Sequence, residues 1–444
     1  MVLIKFLFLI PYSLLPTPYS LKMQSFPRVM AIASLIVLNA CVSSYPVTET
    51  PNRNTPMTTT TLFKSDKNNS ILLASLPQST PNRELLVASW ESYRQRFIQG
   101  DGRVIDYEAG DRSTSEGQAY AMLRAVLMND FETFALTLKW GENNLQRQVN
   151  GKRADNLWAW KWGRNTDGNW GTIDNNFASD GDIDAITALI FASRRWNRPE
   201  YLELAKAKLQ DLWNLGVTSA PKEKWYLLPG PASAFVSNQS TLYLNPSYLA
   251  PYAFRMFAQV DPKRDWLSLI DTSYEVLEQS TQLSTVGLPS DWVALDTTTG
   301  KYQTLPLSGE LQTIYGFDAY RVWWRVSLDA AWFNSPQARR YLQTSTKYLQ
   351  KLWRERSRLP ARIDLQGKGL VNYEATAQYA MLYAAWQIVE PRLAKELLVK
   401  KLLPQYKQGI WDDKSAYYTQ NLAWLGLFPP SIISQQLLRG QVSK

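Results

Sequence analysis

Six stretches of this chain carry apolar residues around most of a helical circumference: residues 116–128, 183–195, 248–260, 318–332, 374–389 and 416–427. A helix that is apolar on nearly every side is stable only when other elements enclose it. Between these stretches lie others with a one-sided apolar face, at residues 85–97, 131–145, 200–215, 265–279, 337–355 and 392–403. Two enclosed stretches share wording, QAYAML at Gln118–Leu123 and AQYAML at Ala377–Leu382. With Glu116, Asp180, Tyr248, Asp318, Glu374 and Asn421 as markers, an enclosed helix and its amphipathic companion repeat at about 60 residues. No single pair can bury its own face, so six pairs must pack side by side as one all-α domain. That periodicity is common to a closed ring and an open solenoid. The lack of a polar-faced terminal repeat favours the ring.

The 444 residues include no His and a single Cys, Cys41. That excludes a Ser-His-Asp or Cys-His relay, His-ligated zinc, an imidazole base and any CxxC site. Acid-base chemistry must then come from carboxylates, Tyr or Lys. The net charge of +9 invites a nucleic-acid reading, but residues 1–85 alone hold seven Lys/Arg against three acids. The rest of the chain carries only +5 with no long basic run, so no nucleic-acid partner is expected.

Those first residues read as address and tether. Val29–Ala40 is a short apolar run preceded by Lys22 and Arg28, too short to span a bilayer and suited to an export signal. It ends Leu38-Asn39-Ala40-Cys41, which resembles a bacterial lipobox and implies lipidation at Cys41. Residues 1–41 are therefore expected to be a signal or lipoprotein segment. Residues 42–85, rich in Thr, Ser, Asn and Pro, are expected to be a flexible tether. Residues 86–435 form the expected functional domain.

Polar residues gather where the enclosed helices begin. Glu116 follows Thr114 and Ser115, either of which can act as N-cap. A second helix opens Ala178-Ser179-Asp180-Gly181-Asp182-Ile183-Asp184, and a fourth Phe317-Asp318-Ala319-Tyr320-Arg321. Helix dipoles alone draw acids to N-termini, and one such acid would need no further explanation. Three clusters that converge on one end of a ring would assemble carboxylates from three repeats in one cleft. The Asp180–Asp184 run is no EF-hand: the positions that need Gly and an acid hold Ala185 and Phe191. No metal or cofactor is expected. Trp158, Trp160 and Trp162 alternate, and an extended loop would set their indoles on one face. Flat apolar faces among polar groups suit a sugar ring.

Thr114–Arg124, Ala178–Asp182 with Ala188-Leu189-Ile190, Ala192 and Trp196, Ala159-Trp160-Lys161, Asn245–Tyr248 and Asp318–Val322 together resemble glycoside hydrolase family 8, in family order across roughly residues 86–430. The resemblance implies an (α/α)6 barrel of six inner and six outer helices and inverting, endo-acting hydrolysis of β-1,4-glycans. A cellulase-type β-1,4-glucanase is the first expectation, with xylan, mixed-linkage glucan and chitosan as other substrates. By the same resemblance Glu116 is the general acid and Asp318 the general base. Asp180, Asp182, Trp160, Lys161, Tyr248 and Arg321 bind substrate. Two positions depart from the family pattern: Ala185-Ile186 after the acidic cluster, and Phe317 where many relatives carry Tyr. The expected partner is a β-linked polysaccharide, met by a monomer exported to the periplasm, the outer membrane or the medium. Its only membrane contact is through the lipid at Cys41. A polysaccharide lyase on a similar toroid, relying on Tyr and Arg, and a non-catalytic glycan-binding lipoprotein are the competing classes.

Overall fold

The computed structural model describes residues 76–440, apart from residues 221, 222 and 239. Cys41, the expected signal segment and the expected tether up to residue 75 lie outside the described residues. Outer and inner helices alternate along the chain. The first three pairs are α1 (Arg83–Phe97) with α2 (Ser115–Leu127), α3 (Phe131–Asn144) with α4 (Ser179–Trp196), and α5 (Pro199–Gly216) with α6 (Pro251–Val260). They continue as α7 (Ser268–Gln282) with α8 (Tyr320–Trp332), the divided outer helix α9 (Pro336–Ser345) and α10 (Lys347–Arg356) with α11 (Thr376–Val389), and α12 (Pro391–Leu397) with α13 (Tyr417–Leu427). Each inner helix matches an apolar stretch of the sequence, and every residue of α2 and of α13 is buried.

Local chemistry marks the helix ends. Thr114 caps α2 by accepting the Gly117 amide at 3.0 Å, and Asp130 caps α3 through the Thr133 amide at 3.1 Å. Asn197 takes the left-handed conformation that ends α4, and Pro199 opens α5. The amphipathic stretch 337–355 predicts one helix, and the structure divides it at Thr346. The Thr346 hydroxyl donates to the Leu342 carbonyl at 2.7 Å, a back-bond that bends helices. Another difference concerns the third inner helix, which starts at Pro251. Tyr248 lies instead in a preceding 3-10 turn, Pro246–Tyr248. Pro251 favours a helix start because its missing N–H costs nothing in the first turn.

The ring closes where the last inner helix meets the first repeat. Trp424 on α13 donates to the Leu86 carbonyl at 2.9 Å, and Arg124 on α2 donates to Asn421 on α13 at 3.1 Å. The Arg124 guanidinium is wholly buried in an aromatic box. Its centre stands 4.2 Å from the Tyr93 ring centroid and 5.0 Å from those of Trp90 and Trp424.

Connections between inner and following outer helices are short, as at residues 128–130, 197–198 and 333–335. Every named strand falls in the opposite connections, those that lead from an outer to an inner helix. Ser113–Thr114 pairs with Lys161–Arg164, which pairs with Trp170–Asp174; a second sheet joins segments around 236–244 to 293–303. One end of the barrel, where the inner helices begin, thus carries the long structured loops.

Helix α8 bears a buried charged stripe within its apolar surroundings: Arg321, Arg325 and Asp329, spaced four residues apart. Arg325 binds both oxygens of Asp184 on α4, at 2.7 and 2.9 Å, and also donates to the Tyr252 hydroxyl at 3.0 Å. Asp329 accepts from Arg255 and from the Tyr274 hydroxyl, each at 2.7 Å. Breaking such a buried pair from one side strands the other charge, at about 3–5 kcal/mol. Arg325→Met is therefore expected to destabilise by about that much in urea or guanidinium melts, and adding Asp184→Leu to recover at least half of the loss. A single variant as stable as the parent would show that the pair contributes nothing.

Candidate active site

Gly181 lets the starts of α2 and α4 touch. A Cβ there would lie 2.7 Å from the Ser115 hydroxyl and 2.9 Å from the Glu116 amide, so a side chain would force the two helices apart. This close approach places Glu116 beside Asp180. Both face Arg321, which rises from the first turn of α8 and is wholly buried. One guanidinium nitrogen of Arg321 donates to Glu116 and, at 2.8 Å, to Asp180; the other reaches Asp318 at 2.5 Å. Three carboxyls from three repeats therefore converge on a single cation, as the helix starts predict.

One positive charge cannot balance three buried negative ones. Burial pushes the Glu116 carboxyl up to about 7 against the pull of Arg321; the charge of Asp180 adds to the rise, and a hydrogen bond from Tyr417 opposes it. Burial also raises Asp180, opposed by Arg321 and Arg325, and raises Asp318, opposed by Arg321 and by the side chains of Asn245 and Trp292 beside it. A proton placed on Glu116 leaves Asp318 against the guanidinium. The site then holds a protonated and an ionised carboxyl around one centre.

The other expected residues divide. Tyr248 is buried beside this group, with its ring centroid 5.2 Å from the Arg321 guanidinium. Trp160 is placed by its backbone: its carbonyl accepts the Ser115 amide at 3.0 Å, one residue before Glu116, while its indole N–H is buried without a partner among the described residues. The Lys161 amine stands 5.4 Å from the Trp160 ring centroid. Asp182 is turned away from this group. It is wholly buried and accepts the Trp158 amide at 3.2 Å, near Lys208, so it holds the loop that carries Trp160. The three alternating tryptophans have separate surroundings. Trp158 packs against Gly141 and Lys208, whereas Trp162 stacks on Trp170 at 5.1 Å with Arg103 over both rings. The chain turns at Ala159–Trp160 between strands 152–158 and 161–164, which breaks the alternation of a single extended segment. Among the described residues no His, Cys, Asp and Glu group is arranged to hold a metal ion.

The chain matches the family described as glycosyl hydrolases family 8 over residues 64–427. The chain belongs to this family. It is 38% identical over 243 residues to an endoglucanase of Xanthomonas axonopodis, covering 54% of this chain and 60% of that relative's length. An endoglucanase of Escherichia coli is 31% identical over 293 residues, 65% of this chain and 75% of the relative. Among solved structures, an endo-1,4-D-glucanase from Vibrio fischeri superposes with a TM-score of 0.65 at 26% identity, covering 76% of this chain and 93% of that one. The family's (α/α)6 barrel is the fold of this chain.

Two tyrosines of this family 8 site escape the sequence reading. Tyr417 and Tyr418 open α13. The Tyr417 hydroxyl donates to Glu116 at 2.7 Å, and the Tyr418 hydroxyl donates to the Phe317 carbonyl at 2.8 Å, next to Asp318. The marker chosen in that repeat, Asn421, sits a turn too deep and bonds Tyr93 and Arg124. The rule that site residues open inner helices points to Tyr417, once the start of α13 is placed correctly. Because the Tyr417 bond favours ionised Glu116, its loss must raise the Glu116 pKa further. A bond to a charged group contributes about 1.5–3 kcal/mol, so Tyr417→Phe is expected to move the alkaline limb of kcat/KM up by about one to two pH units. A limb that stays in place or moves down would disprove the link.

Proposed function

We propose that this chain is an endo-acting, inverting hydrolase of β-1,4-glucan, with Glu116 as acid and Asp318 as base. The observation that carries the reading is the pair of carboxyls on one buried guanidinium, one of them pushed up to about 7. Glu116 gives its proton to the glycosidic oxygen as the C1–O bond breaks. A water attacks C1 from the opposite face and passes a proton to Asp318. Arg321 keeps Asp318 ionised and steadies Asp180 for the sugar at the point of cleavage. Trp160 and Tyr248 offer aromatic faces to neighbouring rings. The names of the Xanthomonas, Escherichia and Vibrio relatives support glucan as the substrate.

Glu116→Gln and Asp318→Asn are each expected to lower kcat on soluble cellulose by about 10²- to 10⁴-fold without loss of fold, measured by reducing-end release and circular dichroism. Proton NMR of the wild-type reaction should show the α-anomer first. A β-anomer first, or ultraviolet-absorbing unsaturated ends, would replace this mechanism with retention or with elimination. Mixed-linkage glucan, xylan and chitosan in parallel rank the substrates.

We also propose export and a lipid anchor at Cys41. The apolar run Val29–Ala40 after two basic residues, closed by Leu38-Asn39-Ala40-Cys41, supports this reading. Cys41→Ser in a bacterial host should abolish labelling by a radioactive fatty acid and release the protein from the membrane fraction. Unchanged labelling would exclude Cys41 as the acceptor.

A further inference from the structure

Asp318 is not itself within a helix. It stands two residues before α8, in the turn Gly316-Phe317-Asp318-Ala319, and α8 has no capping side chain of its own at Ala319. The cap comes from elsewhere. Asp291, in the loop before strand Val293–Asp296, accepts the Gly316 amide at 3.1 Å and the Ala319 amide at 2.8 Å on one carboxyl oxygen. These two N–H groups bracket Asp318. The second oxygen is pressed against Gly316 so closely that a Cβ there would stand 2.5 Å from it. The Asp291 amide donates to the Ile314 carbonyl at 2.7 Å, which ties the two segments together, and the next residue, Trp292, lies beside Asp318.

We infer that Asp291 is a positioning residue for the base: its carboxyl fixes the backbone on both sides of Asp318 and so sets where Asp318 meets the attacking water. This rests on the assignment of Asp318 as base. Asp291 touches neither sugar nor water in this scheme and acts only through the turn. Burial, and then the charge of Asp318, push the Asp291 carboxyl well above its ordinary range, so a neutral amide of the same shape is a close substitute.

Three variants of the full chain test it, with wild type and Asp318→Asn as references. Asp291→Ala removes the acceptor and is expected to lower kcat about 100-fold, the scale of a misplacement near 1 Å, with KM within about two-fold. Asp291→Asn keeps an oxygen for both amides and is expected to recover kcat to within about five-fold of wild type. Gly316→Ala leaves Asp291 in place but drives its carboxyl off, and is expected to lose kcat at least about ten-fold with KM retained. Should Asp291→Ala fail to fold, the Gly316→Ala result decides alone. The inference is overturned by Asp291→Ala or Gly316→Ala with wild-type kcat, by Asp291→Asn falling as far as Asp291→Ala, or by KM rising in step with the loss. If Asp318→Asn stays active, the base assignment and this inference fall together. If Asp318→Asn is inactive while Asp291→Ala is not, only the inference falls.

Discussion

A single buried cation organises this protein. Arg321 has no exposed surface and touches three carboxyls that come from three different repeats. Taking such a group out of water is costly, and only close, well-directed partners offset that cost. The ring geometry supplies them, since inner helices that begin at the same end deliver Glu116, Asp180 and Asp318 to one point. The same cation sets the chemistry. It cannot neutralise three neighbours, and burial pushes all three carboxyls up, Glu116 to about 7.

Below this layer the stripe on α8 repeats the arrangement with other partners. Each nitrogen of Arg325 has a partner among Asp184, Tyr252 and the Ser247 carbonyl. Arg321 differs in having more acid around it than it can balance. One helix thus holds a closed ion pair and, one turn nearer the loops, a cation shared among three carboxyls.

The six-pair rhythm of the barrel was legible because enclosure and period are properties of the chain itself. The carboxyls were legible because acids at the starts of apolar helices break their pattern. Asp182 shows where that reasoning stops. It belongs to the same run as Asp180, but two residues along a helix is about 200° of rotation, so its carboxyl turns toward the Trp158 backbone. Tyr417 was hidden for the opposite reason: a tyrosine that opens an apolar helix resembles core. Asp291 sits in a loop, and its bonds to residues 316 and 319 depend on tertiary geometry that no local pattern encodes. The break at Thr346 was missed because the amphipathic stripe continues across it.

The seam of the ring has a consequence in time. Glu116 stands near the start of the domain, and the hydroxyl that holds it, Tyr417, lies 301 residues further along. Arg124 and Asn421, which close the same seam, are 297 residues apart. A chain emerging from the ribosome can pair its early helices as they appear, but the first inner helix keeps an open flank until α13 arrives. Loop closure over such a span is slow relative to local pairing. Glu116 therefore acquires its Tyr417 neighbour only after α13 has been made, and a chain cut short before α13 carries Glu116, Asp180 and Asp318 with no finished wall around them.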